Sequence, residues 1–201
     1  MKSFLSKIKE IKLIEALAIT GNKRISPSDL LKRVSTILSK EKINFSVAGG
    51  FARSIHAEPR ATGDVDIVIA TNNIKEVENI LIKNGFTLGD VLDYSNPKRI
   101  IRKYVFKGRE VDVIEYPNNS KFVDFLLSTS ISQALFGTTY SFLGLEGLII
   151  TKLCSFRFKD KADLVDLIEK NPNLDIIKEW CIDLKILDRF SFLQEKHENE
   201  H

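Results

Sequence analysis

Apolar residues recur at helical spacing in two segments near the start of the chain. The first, Phe4 to Ile19, predicts an amphipathic helix that packs against its own domain, with a partner-binding or membrane-surface helix as the alternative. The second, ISPSDLLKRVSTILSKEK, predicts a helix that begins at Pro27 or Ser28 and ends near Lys42. Residues 1–42 are therefore expected to form an N-terminal helical region.

The pattern changes to short β-rich runs after residue 42. INFSVAGG and DVDIVIA predict two strands on either side of a short helix in FARSIHA, and NIKEVENILIKNG predicts a helix that ends on Asn84-Gly85. Three more strands are expected in FTLGDVLDY, IIRKYVFKG and EVDVIEY, the last two joined as a hairpin through Lys107-Gly108-Arg109. Residues 43–128 are thus predicted to form a core that contains a small mixed β-sheet.

The end of the chain is predicted to be helical. LGLEGLIITKLCSF, KDKADLVDLIEK and LDIIKEWCIDLKILDRFSFL have helical spacing, and Asn171-Pro172-Asn173 separates the second from the third. We therefore expect an α+β fold, with flanking helices around the sheet and a C-terminal helical region over residues 129–201.

Composition and charge exclude several classes of protein. The 201 residues are 43% hydrophobic and 9% aromatic, which is enough for an ordinary globular core. A net charge of +3 does not by itself indicate a nucleic-acid-binding protein. No apolar run approaches bilayer length, and Cys154 and Cys181 lack the spacing of a metal site. We expect a soluble cytoplasmic protein with reduced thiols and no membrane partner.

Two aspartates lie within the predicted strand DVDIVIA. Asp64 and Asp66 alternate with apolar residues, so both carboxylates should project from one face of the strand. Like charges held so close repel each other, and a divalent cation such as Mg²⁺, which prefers oxygen ligands, relieves that repulsion. Asp112 in EVDVIEY offers a third carboxylate, on a strand that could pair beside the first. Three such carboxylates suit a two-metal phosphoryl-transfer site.

Two glycines, Gly49 and Gly50, come between a predicted strand and a short helix. Glycines at such a point let backbone N–H groups approach a phosphate near the positive end of the helix. Taken alone, the glycine pair is equally typical of a tight turn, and an Asp-x-Asp pair is at least as typical of a solvated strand edge. Their combination favours a phosphate and metal site.

The combined spacing resembles a known signature. Gly49-Gly50, thirteen intervening residues, Asp64-Val65-Asp66-Ile67 and the later Asp112 are similar to the motif of the DNA polymerase beta-like nucleotidyltransferase superfamily. Within it, RATGDVD resembles a motif of AbiEii-type and MenT-like toxins and of minimal antibiotic nucleotidyltransferases. KLCSFRFKDKADLVDL resembles a later basic-acidic motif of the toxins. The resemblance covers about residues 43–170.

The resemblance implies that a nucleoside triphosphate binds over the sheet. It makes Asp64, Asp66 and Asp112 the catalytic residues and the ligands of Mg²⁺, with Mn²⁺ as the alternative ion. Gly50 stands where many relatives carry Ser, so a phosphate contact there would come from backbone amides. The nucleotide-binding candidates are Gly49, Gly50, Arg53, Lys152, Arg157 and Lys159.

Several of these candidates have a structural alternative. Lys152 interrupts an apolar helical stripe, where a buried ammonium needs an anion, but the side chain could also snorkel from the edge of the stripe. Arg53 could form a surface salt bridge, and Asp160 could cap a helix. The basic cluster could track a second polyanion, or it could only balance nearby acids. Its members are Lys152, Arg157, Lys159 and Lys161, and the acids are Asp160, Asp163 and Asp166.

Together these features favour a metal-dependent nucleotidyltransferase. Such an enzyme moves a nucleoside monophosphate from a nucleoside triphosphate to a hydroxyl acceptor and releases pyrophosphate. A toxin-like enzyme that acts on RNA or protein, with a cognate antitoxin as partner, is the first hypothesis. An antibiotic nucleotidyltransferase of the aminoglycoside or lincosamide type is the second, and a catalytically silent nucleotide-binding module is the third.

Overall fold

The computed structural model describes residues 24–70, 74–117 and 119–198. The predicted helix from Phe4 to Ile19 lies outside these residues. The helices are α1 Pro27–Lys40, α2 Gly49–His56, α3 Ile74–Lys83, α4 Ser120–Ser128, α5 Leu145–Ser155, α6 Phe158–Ile168, α7 Leu174–Asp183 and α8 Leu187–Glu198. The strands are β1 Asn44–Val47, β2 Val65–Ala70, β3 Thr87–Ser95, β4 Lys98–Phe106, β5 Arg109–Glu115, β6 Ile131–Leu135 and β7 Thr138–Phe142.

The seven strands of the described residues form one mixed sheet in the order β3-β4-β5-β2-β1-β7-β6. β2 runs parallel to β5 and β1 runs parallel to β7, whereas the other neighbouring strands are antiparallel. Buried apolar side chains from the sheet and from the helices form one core cluster. These observations confirm the predicted α+β fold with a mixed sheet, flanking helices and helices at the end of the chain.

Local sequence signals account for several element ends. Ser26 Oγ caps α1 by accepting a hydrogen bond from Asp29 N–H at 3.0 Å, and Pro27 is the first helical residue. Gly85 follows α3 with a φ of 90°, as the Asn-Gly pair predicted. The β4–β5 turn at Lys107-Gly108 has φ angles of 45° and 74°, which suits a two-residue hairpin.

The sequence pattern does not predict the β6–β7 hairpin or helix α4. The hairpin lies at the start of residues 129–201, the region expected to be helical, and its turn at Phe136-Gly137 has φ angles of 52° and 77°. Phe is uncommon at a positive φ, so the sequence carries no recognisable turn signal there. α4 is a short helix capped by Asn119, whose side chain accepts a hydrogen bond from Phe122 N–H at 3.2 Å.

The predicted helix LDIIKEWCIDLKILDRFSFL is two helices, α7 and α8, so the expectation of one helix was wrong. Apolar spacing continues across the break because Leu184 and Ile186 are both buried. Lys185 between them has a φ of 57°, and Ile186 N–H donates to Cys181 O at 2.8 Å. This left-handed cap ends α7 and turns the chain.

Two smaller observations complete the fold. Cys154 and Cys181 are both free and buried, as predicted. None of the described helices is long and apolar enough to cross a membrane.

Candidate active site

Asp66 and Asp112 lie at paired positions of the neighbouring parallel strands β2 and β5. Adjacent strands are about 4.8 Å apart and paired residues point to the same face, so the two carboxylates project side by side. Asp64 precedes β2 by one residue and therefore lies outside the strand in which it was predicted. All three side chains line one cavity of about 560 Å³. The structure thus brings the three predicted aspartates to a common space.

Asp64 is held by a threonine that sequence reasoning missed. Thr62 Oγ1 donates to Asp64 Oδ1 at 3.0 Å, which fixes one carboxylate oxygen just before β2 begins. A Cβ atom on Gly50 would lie 2.5 Å from Thr62 Oγ1, so the absence of a side chain at Gly50 gives the threonine its space. Thr62 belongs to the RATGDVD segment, and the resemblance of that segment to a known motif was the sequence signal that could have identified Thr62.

Gly49 and Gly50 form the first turn of α2 rather than a separate loop. Gly49 has a φ of 56°, and a Cβ atom there would lie 1.8 Å from Asp66 Oδ2. The Asp66 carboxylate therefore packs directly against the Gly49 backbone, beside the amino end of the helix. A helix amino end favours negative charge, so the same place suits a phosphate oxygen.

We expect Gly49→Ala to lower the nucleotide-transfer activity predicted from the sequence at least tenfold, because the new methyl group must displace the Asp66 carboxylate. The left-handed backbone conformation should also cost about 1 to 2 kcal/mol of stability. Gly137→Ala is the matched control, since Gly137 has a φ of 77° and nothing within 4 Å of its Cβ position. Melting curves and initial rates of both variants separate the two effects. Equal activity losses in the two variants would contradict the proposed contact.

The three carboxylates carry negative charge that the protein only partly compensates. Burial, followed by the charges of Asp64 and Asp112, raises the pKa of Asp66 from 3.8 to about 7. Burial also raises the pKa of Asp112, against the opposing effect of Lys103, whose Nζ lies 3.3 Å from Asp112 Oδ1. Lys103 on β4 was not a predicted site residue, because only the strand pairing places it beside Asp112.

The donor set of this site fits a cation that prefers oxygen. Among residues 24–70, 74–117 and 119–198, no group of three or more His, Cys, Asp or Glu side chains could hold a metal ion. Mg²⁺ usually binds through one or two carboxylates together with waters and substrate phosphates. Asp64 and Asp66 can supply those carboxylates, and the raised pKa of Asp66 reflects a charge that a cation would stabilise.

A buried ion-pair network on α6 surrounds Asp163. Lys152 Nζ lies 2.6 Å from Asp163 Oδ2 and 3.8 Å from Asp160 Oδ1, and Lys152 is 5% exposed. Arg60 donates to both oxygens of Asp163, from Nε at 2.9 Å and from Nη2 at 2.7 Å. The anion that a buried Lys152 needs is therefore supplied within the protein. Lys152 still lines the cavity beside the aspartates.

Arg53 does not line the cavity. Its buried guanidinium lies with Nε 3.4 Å from Asp163 Oδ1, and its Nη2 donates to Asp166 Oδ2. Of the two roles considered for Arg53, the structure contains the salt bridge, although it is buried on the arginine side rather than at the surface. A direct phosphate contact by Arg53 would require these ion pairs to break.

Arg157 and Lys159 both line the cavity. Arg157 is the N-cap residue of α6, and its Nε donates to Asp160 Oδ2 at 2.8 Å. Asp160 Oδ2 also accepts from Arg157 N–H at 3.1 Å, so the predicted capping role of this acid is present. Lys159 is exposed, and its charge lowers the pKa of Asp66 against the effect of burial.

Comparisons with known proteins give structural matches only. No protein-family model matches the chain, and no curated protein matches its sequence. A putative nucleotidyltransferase from Thermotoga maritima matches with a TM-score of 0.49 and 18% identity, over 71% of this chain and 92% of that chain. The antibiotic-resistance factor ANT(2'')-Ia matches with a TM-score of 0.49 and 14% identity, over 86% of this chain and 97% of that chain.

A third structure is the lincosamide antibiotic adenylyltransferase LnuA with lincomycin bound. Its TM-score is 0.48 at 13% identity, over 75% of this chain and 100% of that chain. A likeness at this level does not identify the substrate or the activity of this chain.

Proposed function

We propose that this protein is a metal-dependent nucleotidyltransferase, which transfers a nucleoside monophosphate from a nucleoside triphosphate to an acceptor hydroxyl. The pairing of Asp66 with Asp112 on neighbouring parallel strands is the observation that carries the proposal. Two carboxylates side by side over a cavity, against a glycine at the amino end of a helix, suit the binding of a cation and a phosphate together.

Each residue has a definite part in the proposed reaction. Asp64 and Asp66 would hold Mg²⁺, and the ion would neutralise charge on the phosphates. Asp112, predicted as a third ligand, is left out of the ligand set because no group of three such side chains among the described residues could hold an ion. The backbone N–H groups of Gly49 and Gly50 bind phosphate oxygens. The acceptor oxygen forms a bond to the α-phosphorus, the bond to the bridging oxygen breaks, and pyrophosphate leaves. The Asp112 carboxylate takes the proton of the acceptor hydroxyl.

Lys152, Arg157 and Lys159, which also line the cavity, would supply positive charge to the triphosphate. Lys152 is held rigidly by Asp163, so it presents charge without large losses of side-chain entropy. Lys159 is exposed, and Arg157, which is also exposed, is paired with Asp160. Arg53 has the smallest part in the proposal, because its guanidinium forms ion pairs with Asp163 and Asp166 on α6.

The acceptor in this proposal is the end of a single-stranded RNA. Phe158 is 91% exposed and lies between Arg157 and Lys159, which both line the cavity. An exposed aromatic ring between two cations is typical of surfaces that stack an unpaired base and neutralise its phosphates. Arg24 and Arg109 add positive charge at another part of the same cavity. The cognate antitoxin stays a prediction from the sequence.

We expect Phe158→Ala to lower transfer to RNA at least tenfold while the affinity for nucleoside triphosphate stays unchanged, because base stacking contributes about 1 to 3 kcal/mol. Ile182→Ala is the matched control, since Ile182 is another exposed apolar residue, 52% exposed, on α7. The measurements are the KM for RNA and the Kd for nucleotide. An unchanged KM for RNA in Phe158→Ala would exclude a stacking role.

The test of the whole proposal uses purified protein, Mg²⁺ and each labelled nucleoside triphosphate with total RNA, total protein or candidate antibiotics. Label should appear on RNA, should require the divalent ion, and should decrease as the salt concentration rises. Label confined to an aminoglycoside or lincosamide would replace the RNA acceptor with a small molecule. No transfer to any acceptor, and no binding of any nucleotide, would exclude the nucleotidyltransferase.

A further inference from the structure

The cavity has two chemically different ends on either side of Asp112. Towards the β4–β5 turn its lining is polar and basic, with Arg24, Gly63, Gly108 and Arg109. In the opposite direction along the sheet, Ile101 pairs with Ile114, two residues beyond the Lys103–Asp112 pair and on the same face. Beyond these two isoleucines the cavity is lined by Arg99 and Tyr116. Two apolar side chains, Ile101 and Ile114, therefore lie between the aspartates and Arg99.

Arg99 has an unusual environment for a charged side chain. It is 4% exposed, and its guanidinium lies 4.1 Å from the centre of the Tyr94 ring. Its Nη1 donates to Cys154 O, near the carboxyl end of α5, at 2.6 Å. Its Nε is enclosed and has no hydrogen-bond partner, and no carboxylate of the described chain pairs with it. Buried charges are normally paired, so this side chain lacks an acceptor that a ligand could supply.

Building on the proposed function, we propose that Arg99 recognises the base of the nucleoside triphosphate and selects bases with a carbonyl oxygen at their edge. Arg99 is four residues from Lys103, the strand partner of Asp112. Four residues of an extended strand span about 13 Å. That separation suits a nucleotide with its phosphates at the aspartates and its base over Ile101 and Ile114.

The chemistry of the guanidinium determines which bases fit. Arginine only donates hydrogen bonds, and the fork of its planar guanidinium offers two parallel N–H groups along one edge. Guanine presents two acceptors, O6 and N7, that match this fork, and uracil presents O4. Adenine and cytosine present an amino donor at the corresponding position, which would face the donors of Arg99. We therefore assign guanosine and uridine triphosphates as preferred substrates over adenosine and cytidine triphosphates.

The test compares the four nucleoside triphosphates as competitors in binding and as substrates in transfer, with the full chain. The wild type should favour the guanine and uracil nucleotides at least tenfold, and inosine triphosphate, which keeps O6 and N7, should behave like the guanine nucleotide. Arg99→Met should reduce this preference to less than about threefold, since one bidentate contact is worth about 1 to 3 kcal/mol. Arg99→Lys keeps the charge and the fold but should lose most of the preference.

Arg189→Met is the matched control. Arg189 Nη1 donates to the same carbonyl, Cys154 O, at 2.7 Å, but Arg189 does not line the cavity. The substitution Arg189→Met should therefore lower the melting temperature and leave the base preference intact. Equal use of all four nucleotides by the wild type, an unchanged preference in both Arg99 variants, or the same loss in Arg189→Met would overturn the assignment. Failure to bind any nucleotide would instead remove the proposed function itself.

Discussion

Asp66→Asn is expected to abolish nucleotide transfer and, at the same time, to raise the melting temperature of the metal-free protein. The activity loss should be at least about a hundredfold, because in the proposed mechanism Asp66 holds the ion that neutralises the phosphates, and such a residue contributes several kcal/mol to the transition state. The gain in stability follows first from the burial of a charged group and then from repulsion. Ionised Asp66 lies beside Asp64 and Asp112 in a buried place, and Asn at that position carries no charge.

The stability gain should depend on pH in a defined direction. The pKa of Asp66 is about 7 in the folded protein, against an ordinary value of 3.8. Between these two values the unfolded chain releases the proton while the folded chain retains it, so the folded state loses stability as the pH rises towards 7. The melting temperatures of wild type and Asp66→Asn in EDTA should therefore coincide near pH 4 and differ most at pH 8.

Adding Mg²⁺ at pH 8 should raise the melting temperature of the wild type but not of Asp66→Asn. Glu110→Gln is the matched control, because Glu110 also lines the cavity but its side chain is 48% exposed and pairs with Lys103. It should change neither activity nor pH dependence by much. Retained transfer in Asp66→Asn, or an equal melting difference at pH 4 and pH 8, would contradict the assignment of Asp66.

Asp163→Ala is expected to be the most destabilising single substitution in the α6 network, by about 3 to 5 kcal/mol, because it leaves buried cations without their anion. Lys152 and Arg53 are each about 5% exposed, and Arg60 loses both of its hydrogen bonds to the carboxylate. For a chain of this size the melting temperature should fall by roughly 10 °C. Nucleotide affinity should fall too, since Lys152 would no longer be held.

The pH dependence of this network has the opposite sign to that of Asp66. Burial alone would raise the pKa of Asp163, but hydrogen bonds and charges from Arg60 and Lys152 bring it below its ordinary value of 3.8. Its stabilisation is therefore present above about pH 4 and is lost as the pH falls further. Asp163→Asn should lack this acid-induced loss.

The matched control for Asp163 is Asp166→Ala. Asp166 pairs with Arg53, but its side chain is 48% exposed, so its removal should cost only about 1 kcal/mol. Similar melting temperatures for Asp163→Ala and Asp166→Ala would show that the buried network does not stabilise the fold.

Local signals in the sequence anticipated much of the fold. The helix start at Pro27, the glycine after α3 and the turn at Lys107-Gly108 each involve only a few neighbouring residues, and each is present as expected. The exceptions also have local causes. The Phe136-Gly137 turn uses a residue that rarely adopts a positive φ, and the break at Lys185 is invisible because apolar spacing continues through it.

The sequence by itself determined the parts of the candidate site that lie within one short segment. Two-residue alternation separates Asp66 from the core-facing Val65 and Ile67, and the glycine pair marks the start of α2. Only the tertiary structure decided which side chains from different segments contact each other. Strand pairing set Asp66 beside Asp112 and Lys103 beside Asp112, and helix packing gave Lys152 the carboxylate of Asp163 as its anion. Backbone geometry repeats within a segment, so it can be deduced from the pattern of residues in that segment. Which strand or helix a segment packs against depends on surfaces that are distant in the sequence, and the spacing of residues within one segment does not specify that partner.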